Sequence, residues 1–248
     1  MDGKTFFVTG GNSGLGLATA LAFARAGADI SIFARRAAQN DLARVLIEAE
    51  GRRCLTFAGD VTDEAAVRDA VGATVRHFGK LHHGFNCAGA MQPFAPLTDL
   101  PMSVYDEQMD VNVRGTFLGM KYLIPAIRQA GGGSICNMAS AAGLTPSANQ
   151  TLYAAAKFAV IGMTKGAALE CARDKIRVNV VCPGATTGEM WLKFQATHPE
   201  RAQLALAKHP LGRVGDKEEV AAAVLYLCRD ATFTTGLALT VDGGRTLG

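Results

Sequence analysis

Thr9-Gly10-Gly11-Asn12-Ser13-Gly14-Leu15-Gly16 joins a strand-like run, residues 4–9, to a helical pattern, residues 15–26. Glycines at such a junction permit a tight turn and let the backbone approach a ligand closely. The helix that begins there contributes free N–H groups and the positive end of its dipole, a ready place for a phosphate. The spacing is T-G-x-x-x-G-x-G, carried by Gly10, Gly14 and Gly16, and not the common G-x-G-x-x-G. A Gly-rich turn without a ligand is the bland alternative. Its place after the first strand of an alternating chain argues for the phosphate.

Working outward from that turn, short apolar runs alternate with longer helical patterns. Strands are expected at 28–34, 53–58, 83–86, 134–138, 176–181 and 237–241. Helices are expected at 38–50, 64–78, 104–129, 152–172 and 217–228, and a polar, less regular stretch at 186–210. Strands apolar throughout, separated by helices of about ten residues or more, imply a parallel sheet covered on both faces. Right-handed crossovers then give an α/β, doubly wound Rossmann fold with seven parallel strands. No repeat, low-complexity stretch or linker divides the chain, so residues 1–248 read as one dinucleotide-binding catalytic domain. Ligands of such sheets bind at the carboxyl ends of the strands.

Composition excludes several classes. The chain has 248 residues, 49% hydrophobic and 19% charged, with a net charge of +3. That is too apolar for disorder and too weakly basic for a nucleic-acid face. The run 220–228 is far shorter than the ~20 residues of a membrane span. No secretory signal precedes the first strand, and the cysteines at 54, 87, 136, 171, 182 and 228 form no Cys-x-x-Cys pair. Free thiols in a cytoplasmic protein are expected. The histidines at 77, 82, 83, 198 and 209 lack ligand spacing, so no metal is expected.

Two places carry chemistry. After the second strand stand Ala34, Arg35 and Arg36. An acid there would bind the ribose hydroxyl of NAD, whereas arginine accommodates the 2′-phosphate of NADP. NADP(H) is therefore expected, with NAD(H) still possible. Tyr153 and Lys157 are four apart on a predicted helix and share a face. An ammonium ~4 Å from the phenol, at an effective dielectric of ~20, is worth roughly 4 kcal/mol. That is ~3 pKa units, enough to bring a phenol of ~10 near neutrality. Ser140 stands just after a strand, and no G-x-S-x-G elbow supports a hydrolase reading of it.

Further motifs follow in order: Asp60-Val61, Asn86-Cys87-Ala88-Gly89, Asn112 within Val111-Asn112-Val113, Ser140, Tyr153-Ala154-Ala155-Ala156-Lys157, Pro183-Gly184 and Val241-Asp242-Gly243-Gly244. With the glycine turn, this set resembles the classical short-chain dehydrogenase/reductase family along the whole chain. The resemblance implies a cofactor site of Gly10, Asn12, Ser13, Gly14, Leu15, Gly16, Arg35, Arg36, Asp60, Val61, Asn86, Ala88, Gly89, Tyr153, Lys157, Pro183, Gly184 and Thr186. It also implies Tyr153 as general acid/base, Ser140 as its partner at the substrate oxygen, and Lys157 as the group that lowers the tyrosine pKa and holds the ribose. Asn112 would hold a relay water. Gly188 departs from the family, which often carries threonine at that place. The nearby Thr186 is expected to meet the nicotinamide carboxamide through its backbone N–H.

The segment 187–210 should form a helical lid over a small carbonyl or alcohol substrate. Met190, Trp191 and Phe194, with Met91, Gln92, Ala142 and Gln150, would make an apolar pocket. Lys193, Arg201 and Lys208 either face an anionic substrate or, the favoured reading, lie on a solvated helix face. The resemblance further implies a homotetramer, and leaves open a 3-oxoacyl-[acyl-carrier-protein] reductase or a sugar dehydrogenase. A silent dinucleotide sensor would have lost Ser140, Tyr153 or Lys157, and all three are present.

Overall fold

The computed structural model describes residues 1–247, with only the backbone of Glu189 and Met190. Seven strands build one sheet: β1 (Thr5–Thr9), β2 (Asp29–Ala34), β3 (Cys54–Ala58), β4 (His83–Asn86), β5 (Gly133–Met138), β6 (Ile176–Pro183) and β7 (Ala238–Val241). Their order is β3-β2-β1-β4-β5-β6-β7, and every pairing is parallel. Alternate residues of β1 point to opposite faces. Phe6 and Val8 join one core with Phe23, Ile30, Ile32, Val224 and Leu227. Phe7 joins the other with Phe33, Leu81, Leu123, Ile127 and Ile135. Both faces being apolar, the strands carry no polar alternation, which is why the sequence reads as plain apolar runs.

The first face is covered by α1 (Gly14–Arg25), α2 (Ala37–Ala49) and α9 (Lys217–Arg229); the second by α3 (Glu64–Phe78), α5 (Gly115–Gln129) and α6 (Thr151–Cys171). The chain runs outward from β1 to β3, then crosses back to place β4 on the other side of β1. The glycine turn therefore lies at the point where strand order reverses, where open sheets leave a crevice. Thr9 holds the two sides of that crevice together: its hydroxyl accepts from the backbone N–H groups of Cys87 at 3.0 Å and Ala88 at 3.1 Å. A Cβ on Gly16 would overlap the Gly10 carbonyl, so the first turn of α1 packs against the loop only as glycine.

Two expectations change. The long helix at 104–129 is broken: α4 (Met102–Glu107) leads into a π-helical segment, Gln108–Arg114, before α5. Its cause is side-chain competition for the helix ladder. Asn112 Nδ2 donates to the Gln108 carbonyl at 3.1 Å, and Thr116 Oγ1 donates to the Asn112 carbonyl at 2.7 Å. The stretch read as less regular in pattern, and as a helical lid, resolves into two helices, α7 (Glu189–Thr197) and α8 (Pro199–Ala207). Pro199 at the first position of α8 was a legible start signal.

All six cysteines are free, and five are buried. Among the described residues no helix is long and apolar enough to cross a membrane.

Candidate active site

One cavity of about 770 Å³ runs along the carboxyl ends of the strands. Gly10, Asn12, Ser13, Gly14, Leu15 and Gly16 line one end, with Arg35, Arg36, Asp60 and Val61. Asn112, Ser140, Tyr153, Lys157, Ala88, Gly89, Pro183, Gly184 and Thr186 line the remainder. Of the residues expected at the cofactor and catalytic positions, Asn86 is not on the wall. It is buried in β4, where its Nδ2 donates to Asn137 Oδ1 at 2.8 Å and its Oδ1 faces Gly119. The Asn-Cys-Ala-Gly motif thus contributes backbone and small side chains to the cavity, while its asparagine braces β4 on β5 and α5.

At the glycine end the loop is held by amides. Asn12 Nδ2 donates to Asn40 Oδ1 at 2.8 Å, and Asn40 Nδ2 donates to the carbonyls of Ala34 and Phe57 at 3.0 and 3.1 Å. This network fixes the turn against the ends of β2 and β3. Arg36 Nη2 donates to Ser13 Oγ at 3.1 Å. Arg35 is exposed beside the cavity and, among the described residues, forms no ion pair. The Asp60 carboxyl accepts from Thr62 N–H at 2.9 Å and Thr62 Oγ1 at 2.8 Å, which holds its pKa below the usual range.

The other end gathers the titratable groups. Lys157 Nζ donates to the Met138 carbonyl at 3.1 Å and stands 5.6 Å from the centre of the Tyr153 ring. Burial draws its pKa down to about 8. The Tyr153 phenol is pushed up by burial, with Ser140 and the Arg245 charge pulling against it. Desolvation outweighs the groups that favour the phenolate, so the net direction is upward. Both groups sit where desolvation opposes their charged forms, and the ammonium is turned to a carbonyl. Ser140 Oγ accepts from Ala142 N–H at 3.1 Å, which leaves its own proton to donate toward the Tyr153 oxygen and the cavity. Asn112 is buried, its Nδ2 donating to the Ala90 carbonyl at 3.0 Å and its Oδ1 accepting from Ala90 N–H at 3.2 Å. A Cβ built on Gly89 would stand 2.9 Å from Asn112 Oδ1 and 3.4 Å from Lys157 Nζ, so glycine keeps those two side chains facing one gap. The Cys87 thiol beside them is pushed up to about 12 by burial and stays protonated.

Several wall residues had no signal in the sequence. Gln92 does not line the cavity as expected; its Oε1 accepts from Tyr153 N–H at 2.7 Å and its Nε2 donates to the Asn149 carbonyl at 3.1 Å, so it anchors the start of α6. His209 Nδ1 bonds the Ala205 carbonyl at 2.8 Å, and its Nε2 accepts from Ala185 N–H at 3.1 Å, tying α8 to the loop after β6. Phe94 stacks on Phe194 with centroids 5.1 Å apart, and Trp191 lies 5.7 Å from Phe194. Met91, Ala142 and Gln150 line the wall as expected; Arg201 and Lys208 are exposed as expected but stand at the cavity edge, and Lys193 does not. The side chain of Met190 lies outside the described residues. Thr187 Oγ1 accepts from Lys217 N–H at 3.3 Å and so serves the start of α9.

Fold and cavity together define a class: a doubly wound α/β protein with an amide-braced glycine turn opposite a buried Tyr–Lys pair. Comparison with known proteins makes it particular. The model of a family described as enoyl-(acyl carrier protein) reductase matches residues 10–246. A 2,5-dichloro-2,5-cyclohexadiene-1,4-diol dehydrogenase of Sphingobium indicum is 37% identical over 249 residues, 99% of this chain and 98% of that one. Carveol dehydrogenase from Mycobacterium avium in complex with NAD superposes with a TM-score of 0.95 at 27% identity, covering 100% of this chain and 99% of that one. ElxO with NADP bound superposes with a TM-score of 0.93 at 30% identity, covering 100% of both chains. The chain belongs to the short-chain dehydrogenase/reductase family and is an oxidoreductase acting on CH–OH groups.

Proposed function

We propose that this enzyme moves hydride between NADP(H) and the carbon of a ketone or secondary alcohol, with Tyr153 handling the proton at the substrate oxygen. One observation carries the reading: Ser140, Tyr153, Lys157 and Asn112 open onto the same cavity as the glycine turn and Arg35. The residues fit a dinucleotide. Nothing lies within 4 Å of a Cβ position on Gly14, at the start of α1, which leaves room for a phosphate at a helix N-terminus. Arg35, without a carboxylate partner among the described residues and with no acid at Ala34, suits the 2′-phosphate of NADP.

When bound, the nicotinamide supplies or accepts the hydride. The protein's part is to hold the oxygen and move the proton. The proton of Ser140 points a hydrogen bond at the oxygen and sets it against Tyr153. A phenol whose pKa burial raises is held in its protonated form, from which it donates to a carbonyl oxygen. Lys157 holds the ribose hydroxyls and balances the phenolate left behind. Asn112 and Gln108 frame its route back to solvent, where the buried Gln108 Nε2 has no protein partner and suits a relay water. Thr186 meets the carboxamide through its backbone, with Pro183 and Gly184 beside it.

Phe94, Trp191, Phe194, Met91 and Leu204 give the substrate end an apolar, aromatic lining under the lid 187–210. A ring-bearing ketone or alcohol suits it. The carrier-protein reading is less well supported, because Arg128, a basic residue that could grip an acidic carrier, is paired with Asp174 at 2.8 and 2.6 Å. Exposed Phe117, Phe158 and Leu169 on α5 and α6, and Tyr226 and Phe233 around α9, support a homotetramer, which light scattering would read. The deciding experiment follows absorbance at 340 nm with NADPH and NADH against cyclic ketones, acyl thioesters and sugars. Turnover of a ketone with NADPH preferred at least tenfold is the expected result. Turnover with NADH alone, or of none of these while NADPH still raises Tm, would overturn it.

A further inference from the structure

The segment after β7 places a cation in the wall of the cavity. Gly243 and Gly244 have φ of 58° and 86°, a reversal that side chains oppose. The Asp242 carboxylate fixes the turn, accepting from Gly244 N–H at 3.1 Å, Thr246 N–H at 2.9 Å and Thr246 Oγ1 at 2.8 Å. Arg245 is thereby sent to the wall that holds Tyr153. Its Nη2 donates to Ser147 Oγ at 3.0 Å and the Thr145 carbonyl at 3.4 Å, so the guanidinium is tethered to the loop between β5 and α6. Its Nη1 is enclosed and, among the described residues, has no acceptor.

A half-buried guanidinium with an unbonded N–H is costly, and proteins normally satisfy it. The Asp242 charge bears on Arg245, but its oxygens are bonded within their own turn. Among the described residues Asp60, at the far end, is the only carboxylate on the cavity wall, whereas Arg201 and Lys208 line the substrate end and form no ion pair. Arg201 instead rests over Phe94, 5.5 Å from the ring centre. The substrate end is thus an apolar chamber with cations at its edge and no described acid on its wall to answer them. Arginine's fixed fork suits a planar carboxylate above other acceptors.

We infer that Arg245 receives a carboxylate of the substrate, so that the substrate class is a ring-bearing oxo or hydroxy acid. This deepens the proposed function and rests on it for the reacting group. Arg245 is then a specificity residue: it orients the far end of a molecule whose oxygen lies at Ser140 and Tyr153. The same charge also favours the phenolate that Tyr153 becomes after giving up its proton.

The test reads binding first. Trp191, the chain's one tryptophan, lies in this wall and reports occupancy by fluorescence. The protein with NADP+ is titrated with cyclohexanone and with its 3- and 4-carboxylates. At least one carboxylate should bind tenfold or more tighter than cyclohexanone. That margin should vanish in R245Q, survive in part in R245K, and persist in K193Q, whose residue lies off the cavity. Equal binding of acid and ketone by the native protein overturns the inference, whatever the variants do. So does a margin that R245Q leaves intact, which would assign the anion to Arg201 or Lys208. NADPH consumption at 340 nm is recorded separately, so loss of the hydride reading is distinguishable from loss of the anchor.

Discussion

Acidification should destabilise this protein before its carboxylates titrate, through His83. His83 lies in β4, buried, with Nδ1 2.8 Å from Ser134 Oγ. Burial draws its pKa from 6.5 to about 3. The folded chain therefore refuses a proton that the unfolded chain accepts. Stability is fully present above pH 6.5 and declines as pH falls below it, until the folded histidine itself titrates near 3. Over the whole window the shift corresponds to ~5 kcal/mol at 1.36 kcal/mol per unit. Between pH 7 and 5 the same two pKa values give a loss of about 2 kcal/mol. For a domain of this size that is a fall in Tm of roughly 4–8 °C. His82 adds in the same direction, since burial lowers its pKa too. Ordinary carboxylates, titrating near 4, contribute little in that interval. Scanning calorimetry of the native protein and His83→Gln at pH 7, 6 and 5 isolates the effect. The variant starts lower or higher by whatever its packing dictates, but its Tm should vary less with pH. Parallel lines for the two proteins would refute the assignment.

The site makes its own predictions. Tyr153→Phe keeps the ring and removes the proton; turnover at 340 nm should fall roughly 100- to 10,000-fold while NADPH binding by fluorescence stays within a few-fold. Unchanged kcat would end the acid/base assignment. Arg35→Ala should lower the preference for NADPH over NADH by ~10–100-fold, the worth of a charge-assisted hydrogen bond, and leave NADH affinity nearly constant; an equal loss with both cofactors would place Arg35 elsewhere. Gly16→Ala puts a Cβ into the Gly10 carbonyl and should abolish the rise in Tm that NADPH produces, a result that a normal thermal shift would contradict.

Much of the fold was legible because the central strands are buried on both faces. Uniformly apolar runs such as Phe6-Phe7-Val8 and Val180-Val181-Cys182 leave the sequence no other use for them. The order of motifs then fixed which strand ends mattered. The π segment was not legible, because the pattern of residues 104–129 has the helical period and only the hydrogen bonds of Asn112 and Thr116 reveal the lost register. Asn86 was misread for a related reason: a polar residue beside a cavity motif looks like a ligand contact until its amide is seen bonded to Asn137.

By itself the sequence determined the doubly wound sheet, the glycine turn, Arg35 after β2 and the Ser140, Tyr153, Lys157 and Asn112 set. Those are local: each depends on spacing along one strand–turn–helix unit, or on residues a helical turn apart. Tertiary structure alone decided what meets the set from far away in the chain. It brought Arg245, almost a hundred residues beyond Ser147, onto the same wall, and gave Gln92 and His209 to anchor α6 and α8. It also decided the protonation of the pair. Tyr153 and Lys157 stand one helical turn apart whatever surrounds them, but their pKa values follow from how much protein replaces water around each.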